Sequence, residues 1–427
     1  MPDKYKILSL DGGGTWALLQ VRALQAIYGP TAKGHDILKN FDLVAANSGG
    51  SITAAGLFAN LPLDKVMGLF TDPKTLKQIF VKVGFLPHPI ETIFAEFGAA
   101  PKYSTADKLK GLIKVFSAFQ GSFSKLTLRQ ASDQVWDNVG KRVKLIITAF
   151  DYDTQRAVFF RSHASPASSS DLYLNTKLIE AVHASSTPPV LYFDHPALVG
   201  KGRYWDGGVA GLNNPVLVAV LEGMIAMPDR EAINVLSLGT GTVRIPVDSA
   251  ANAPETLTAK PVKSEIFPTD LEAFAGSILD DPPDAASFDA YVALGLPLPA
   301  ANEVPLASSR FVRLNPRIGP IKTGNTWSAP PYFQGVQGLE KLSRLTKMHL
   351  DAIAPKDVEA IKALADAWVI GDQVPNQGIR SDPAYNVQIG FAEAAKGIQA
   401  WIDASGPTPS EKRKLAARRK LRKSKRE

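Results

Sequence analysis

Two short segments carry the residue types that acyl chemistry needs. The first is Asp11-Gly12-Gly13-Gly14, three successive glycines behind an apolar run. Backbone without a Cβ reaches positive φ and can aim several N–H groups at one point. At a helix N-terminus such donors add to a partial positive charge and suit an anion, either phosphate or oxyanion. A nucleotide P-loop would continue to Gly-Lys-Ser/Thr, whereas Thr15-Trp16-Ala17 follow here. A dinucleotide fingerprint needs G-x-G-x-x-G, and that spacing fails. Tight packing alone is the other account of the triplet.

The second segment is Ala46-Asn47-Ser48-Gly49-Gly50. It fits a nucleophile elbow, G-x-S-x-G, with alanine in place of the first glycine. Small neighbours are needed there because the serine sits on a sharp turn between strand and helix. A serine helix cap is the competing reading. Serine is a weak nucleophile and needs a base. The histidines are His35, His88, His163, His183, His195 and His349. In the order Ser…Asp…His only His349 lies late enough to follow Asp206, and the pattern puts it in a helix from Leu345 to Ile353; His195 follows Asp194, but adjacent residues rarely present their side chains to each other. The other candidate base is Asp206, in Tyr204-Trp205-Asp206-Gly207-Gly208. That puts a carboxylate on a tight loop, although an ordinary Asp-Gly turn reads the same way.

These segments need elements to hold them. Ile7–Leu10 and Phe41–Ala46 read as buried strands, each running into one of the two glycine-rich turns. Leu18, Val21, Leu24 and Ile27 have helical spacing, and Ile52 to Phe58 is a second apolar helix. Val143–Phe150 reads as a strand with Ala157–Phe160 as hairpin partner. Leu172–Ala184 and Asn214–Ala226 read as helices, the latter with Pro215 at its start. Val235–Leu238 and Phe311–Leu314 read as strands, and 335–403 as helical. Strands alternating with helices predict a mainly parallel sheet covered on both faces.

Composition bounds the function. With 45% hydrophobic and 21% charged residues, the 427-residue chain is globular rather than disordered or fibrous. The absence of cysteine excludes a disulfide scaffold, a Cys-based zinc site and a thiol nucleophile. No apolar run reaches the roughly 18 residues of a membrane span. Ile7–Leu10 is too short for a signal-peptide core, so the expected location is cytoplasmic, with peripheral contact at the membrane. The net charge of +7 is uneven. Residues 411–427 hold ten of the 48 Lys and Arg and two of the 41 Asp and Glu, which leaves a body with 38 basic and 39 acidic residues. This tail reads as a solvated, disordered end or as a contact for anionic lipid. Nucleic acid is an unlikely partner, since no aromatic residue is interleaved for base stacking.

Taken in order, DGGG, x-x-S-x-G and DGG resemble the signature of the patatin-like phospholipases. Ala184-Ser185-Ser186-Thr187-Pro188-Pro189-Val190-Leu191-Tyr192-Phe193 resembles that family's A-S-x-A-x-P-x-x-F segment. Asn213-Asn214-Pro215 and Leu236-Ser237-Leu238-Gly239-Thr240-Gly241 resemble two more. The resemblance covers about residues 5–245, and more loosely runs to 350. It implies a three-layer α/β/α fold with a mainly parallel central sheet, plus C-terminal helices. It implies a Ser–Asp dyad without histidine: Ser48 as nucleophile, Asp206 as base, and the backbone N–H groups of Gly12, Gly13 and Gly14 as the oxyanion hole. The implied reaction is ester hydrolysis of lipid or phospholipid through an acyl-enzyme, with no metal and no cofactor. The expected organisation is a catalytic domain over 1–350 with an irregular insertion or lid at 246–306, a helical extension at 351–410, and the basic tail at 411–427. The family's first loop usually continues to a basic residue and a fourth glycine, which Thr15-Trp16-Ala17 replace. Trp16 is then either a wall of an acyl pocket or core packing. The competing class is a catalytically silent or signal-activated lipid-binding regulator on the same fold.

Overall fold

The computed structural model describes residues 4–83, 101–164, 173–189, 192–245, 284–298, 306–323, 326–380 and 388–405. Among its strands are β1 (Tyr5–Leu10), β2 (Leu43–Ala46), β3 (Lys144–Asp151), β4 (Arg156–Arg161), β5 (Ala197–Val199), β6 (Gly202–Asp206), β7 (Ile233–Leu238), β8 (Thr242–Val243) and β9 (Phe311–Leu314), with further two-residue and three-residue strands after β9. Of β1 to β9, all but β8 join one eight-stranded sheet, in the order β5-β6-β3-β2-β1-β7-β9 with β4 also paired to β3. The central pairings β3–β2, β2–β1, β1–β7 and β7–β9 are parallel; β4, β5 and β6 add antiparallel pairings at one end.

The central strands are apolar at nearly every position because both sheet faces are covered. Alternation then sorts their side chains into two cores. Leu8, Leu10, Val44, Ala46, Leu236 and Leu238 enter the larger one. Tyr5, Ile7, Leu43, Ala45, Ile233 and Val235 enter the smaller. The larger core packs under α1 (Leu18–Tyr28), α2 (Gly34–Leu38), α3 (Ser48–Phe58), α4 (Leu63–Thr71), α5 (Pro73–Ile79), α6 (Thr105–Phe119), α7 (Leu128–Val139) and α8 (Leu178–Ser185). The smaller packs under α9 (Val216–Ala226) and a helical stretch at 284–293. This is the expected three-layer α/β/α arrangement. The C-terminal α10 (Gly335–Leu345), α11 (Pro355–Ile370) and α12 (Ala394–Ser405) join the larger core, where Trp368 and Trp401 are fully buried.

Several sequence expectations shift. The helix read from Leu172 starts at Leu178, because Thr176 and Lys177 pair with the 126–128 segment: Leu128 N–H donates to the Thr176 carbonyl at 2.9 Å. The run 335–403 is not continuously helical. After Ile370 the chain extends alongside β9, with Gln377 N–H on the Asn315 carbonyl, and then makes a short hairpin, Ile379–Arg380 with Gln388–Ile389. Within 246–306 the stretch 284–293 is helical rather than irregular, and Tyr291 and Leu294 bury against the sheet. Residues 246–283 and 299–305, and the tail 411–427, lie outside the described residues.

Candidate active site

β2 ends at Ala46 and α3 begins at Ser48, with Asn47 between them. Ser48 has φ of 47°, a left-handed conformation that costs a non-glycine residue about 1–3 kcal/mol. The strain is held by bonds on both sides. The Ser48 N–H donates to Ser185 Oγ at 2.9 Å, and its carbonyl accepts from Ser51 Oγ at 2.6 Å. Gly50 is required by close approach, since a Cβ there would overlap the Leu10 and Asp11 carbonyl groups at the end of β1. Ala46 points into the larger core, where its methyl group is packed.

Asp206 ends β6 opposite Ala149 of β3 and caps the 3-10 turn Gly207–Ala210. The Ser48 side chain lies near its carboxylate and favours the ionised form. Oδ1 accepts from Asn47 Nδ2 at 2.9 Å and from the Gly208 N–H at 2.8 Å. Its backbone N–H donates to the Thr187 carbonyl at 2.9 Å. Burial pushes the Asp206 carboxyl above the ordinary carboxylate range. The Ser48 side chain, the bonds from Gly208 and Asn47 and the nearby charge of Lys108 act the other way. Asn47 itself is oriented by Thr148, whose Oγ1 donates to Asn47 Oδ1 at 2.8 Å.

The glycine-rich segment lies against this pair. A Cβ on Gly12 would come within 3.0 Å of the Ser48 Cβ and collide with Asn213 Oδ1. The three amides are not equivalent. Gly12 N–H is taken by the Asn213 carbonyl at 2.7 Å. Gly13 (φ 157°) and Gly14 (φ 56°) have amides with no acceptor among the described residues. The loop is pinned from below. Asp11 Oδ2 accepts from Arg313 Nη2 at 2.6 Å, both side chains being buried, and Arg313 Nη1 donates to Ser237 at 2.9 Å. Burial pushes Asp11 up to about 6 and Arg313 partly offsets it. Thr240 Oγ1 donates to the Gly12 carbonyl at 2.6 Å. A buried basic side chain of β9 thus holds the first residue of the loop.

His349 is not helical, contrary to the sequence reading. α10 ends at Leu345, and the carbonyls that would extend it serve the glycine loop instead. The Leu350 carbonyl accepts from Thr15 N–H at 3.0 Å and the His349 carbonyl from Trp16 Nε1 at 3.2 Å. Trp16 is 6% exposed and belongs to the core, not to the pocket at Ser48. Of the other described histidines, the His35 ring meets Phe58 and Asn138, the His163 ring meets Glu222, and buried His183 has its pKa held well below the ordinary value. His88 lies outside the described residues.

A cleft opens at Ser48 and Gly14. Its walls are apolar: Ile52 of α3, Leu69 and Phe70 of α4, Ile79 of α5, and Pro188 and Phe193 after α8. Its floor contains Lys108 of α6, an almost fully buried lysine. The site can present a strained serine hydroxyl to a buried carboxylate, beside two open backbone N–H groups, at the end of an apolar slot. Among the described residues no cluster of three His, Asp or Glu side chains is placed to hold a metal ion.

Residues 8–220 match the family model described as patatin-like phospholipase. The chain is 29% identical over 251 residues to a cGAMP-activated phospholipase of Pseudomonas aeruginosa, covering 58% of this chain and 66% of that protein. It is 31% identical over 244 residues to the calcium-independent phospholipase A2-gamma of Rattus norvegicus, covering 55% of this chain but only 28% of that one. Among solved structures it is similar to VipD from Legionella pneumophila, with a TM-score of 0.33 and 14% identity over 86% of this chain and 67% of that one.

Proposed function

Residues 8–220 belong to the patatin-like phospholipase family, and from that premise we propose that the protein is a lipid acyl hydrolase working through Ser48 and Asp206. The observation that carries the reading is a serine held at positive φ whose neighbour Asn47 hydrogen-bonds a buried carboxylate, Asp206. Both lie beside the unpartnered Gly13 and Gly14 amides.

The chemistry follows from these positions. An ester carbonyl enters from the apolar cleft with its acyl chain along Ile52, Leu69 and Phe70. Ser48 Oγ attacks the carbonyl carbon while Asp206 takes the hydroxyl proton. Burial raises the basicity of Asp206, which suits it to that task. Negative charge develops on the carbonyl oxygen, and the Gly13 and Gly14 N–H groups stabilise it, each donor contributing about 2.7–4 kcal/mol. The Gly12 amide, committed to Asn213, holds the loop instead. The protonated Asp206 passes its proton to the leaving alkoxide, which leaves an acyl-Ser48. Asp206 then deprotonates a water that attacks the acyl carbon and releases the fatty acid.

The basic segment 411–427 is assigned a role in adsorption to anionic membrane, on its net charge of +8. At about 1 kcal/mol for each Lys or Arg near such a surface, ten basic residues are ample for peripheral binding. No helix among the described residues is long and apolar enough to cross a membrane.

The deciding experiment is acyl release from mixed phospholipid vesicles by wild type and Ser48→Ala, read by mass spectrometry. Release by wild type that disappears in the variant supports the reading and identifies the preferred head group and position. Equal release by both proteins would refute the role of Ser48.

A further inference from the structure

Lys108 is the one long cation in the wall of the Ser48 cleft that is fully enclosed; it is 1% exposed. It lies on the buried stripe of α6 with Thr105, Leu112 and Val115, at helical spacing where an apolar residue is expected. Its ammonium group has three protons, and each has an acceptor. Nζ donates to the His183 carbonyl at 3.1 Å, to Thr187 Oγ1 at 2.6 Å and to the Ser186 carbonyl. The ring of Phe193 covers it at 4.5 Å. No donor is left for a substrate.

What Lys108 grips is the end of α8 and the residues just after it. That short segment is also what holds both reacting residues. Ser185 Oγ receives the Ser48 N–H, and the Thr187 carbonyl receives the Asp206 N–H. Thr187 Oγ1 donates back to the His183 carbonyl at 2.6 Å, which closes the segment on itself. A cation at a helix C-terminus is well placed, because the last carbonyls lack intrahelical partners. We infer that Lys108 is a positioning residue: it clamps the 183–187 segment, and through it sets the backbone of Ser48 and Asp206. Burial holds the Lys108 pKa well below the ordinary lysine value, and what charge it keeps acts against the upward push of burial on Asp206. The inference rests on the proposed dyad but adds a residue no part of the motif contains.

The charged and titratable groups around it fit this role. His183 is held neutral by burial and by Lys108 itself. Asp351, which also lines the cleft, is tied to Tyr103 Oη at 2.8 Å and to Lys102 at 3.2 Å. Asp194 accepts the Thr105 N–H at 2.9 Å. Asp206 is thus the carboxylate whose titration responds to Lys108.

The test compares wild type, Ser48→Ala, Lys108→Met and Thr187→Val on a soluble short-chain ester across pH, after thermal melts establish folding. It also follows the Asp206 carboxyl carbon by NMR, assigned by its loss in Asp206→Asn. For folded Lys108→Met the expected result is a kcat reduced about 10–100-fold with KM nearly unchanged. The acid limb and the Asp206 titration should both move to higher pH, since the charge removed favours the ionised carboxyl. Thr187→Val keeps the charge and removes one acceptor, so it should lower kcat about 3–10-fold with the limb in place, and it decides the matter if Lys108→Met does not fold. Wild-type kcat and an unmoved Asp206 titration in Lys108→Met would overturn the inference. So would a rise in KM at constant kcat, the mark of a substrate contact. Turnover surviving in Ser48→Ala would defeat the dyad reading separately, while the NMR titration would still report whether Lys108 acts on Asp206.

Discussion

Asn47→Ala removes one of the hydrogen bonds that Asp206 Oδ1 accepts in a buried site, the 2.9 Å bond from Asn47 Nδ2. A hydrogen bond to a charged group is worth about 1.5–3 kcal/mol. One pKa unit corresponds to about 1.36 kcal/mol, so the loss should raise the Asp206 pKa by about one to two units. The sign follows from the role of the bond: it favours the ionised carboxyl, so removing it favours the protonated one. As a base Asp206 works ionised. The acid limb of kcat/KM should therefore move to higher pH by about one to two units, with activity at pH values below the wild-type limb falling about 10–100-fold. The limb of the wild type should already lie above that of an ordinary aspartate, because burial raises the group. Thr148→Val is the control. It removes the 2.8 Å bond to Asn47 Oδ1 without touching Asp206 and should leave the limb nearly in place. The assay is release of p-nitrophenol from a soluble ester between pH 4 and pH 9 with folded protein. A folded Asn47→Ala whose limb coincides with the wild type would refute Asp206 as the titrating base.

Three further outcomes follow from the geometry. Ser48→Gly should abolish hydrolysis and raise stability by about 1 kcal/mol, since glycine takes positive φ without strain; a denaturant melt showing lower stability would argue against a strained elbow. Gly50→Ala should cost about 1–3 kcal/mol, because its methyl group must displace the Leu10 and Asp11 carbonyls; an unchanged melt would mean that the turn relaxes freely. Deleting 411–427 should end sedimentation with anionic vesicles at low salt while soluble-ester turnover stays at the wild-type level; retained sedimentation would move the membrane contact elsewhere on the protein.

The central strands were legible because burial on both faces writes a continuous apolar run, and β9 matches its expected bounds of Phe311–Leu314. The hairpin β3–β4 was legible from two apolar runs around a polar turn. What failed were stretches whose backbone bonds go to distant segments. Thr176 and Lys177 look helical until the 126–128 segment is placed beside them. His349 and Leu350 continue a helical pattern, yet their carbonyls are committed to Trp16 and Thr15, more than 300 residues earlier. Propensity is local, and such contacts override it.

The same division runs through the site. Residues in the proposed reacting geometry are announced by glycine and by short polar turns, so Ser48, Asp206 and the glycine triplet could be picked out together as candidates. Residues that hold those residues still carry no such mark. Asn47 and Ser185 sit inside recognisable segments, but nothing in the spacing says that one binds Asp206 and the other the Ser48 amide. The three glycines look equivalent in sequence, and only the Asn213 carbonyl separates Gly12 from Gly13 and Gly14. Arg313 shows why this is general. It stands in an ordinary buried strand 302 positions from Asp11, and nothing in the sequence pairs it with the loop. Lys108 left one usable trace, a cation on the apolar stripe of an amphipathic helix. Burying a cation is costly unless it is paired or fully hydrogen-bonded. A lysine at such a position therefore implies a waiting set of acceptors, and here those acceptors belong to the segment that holds the serine and the aspartate.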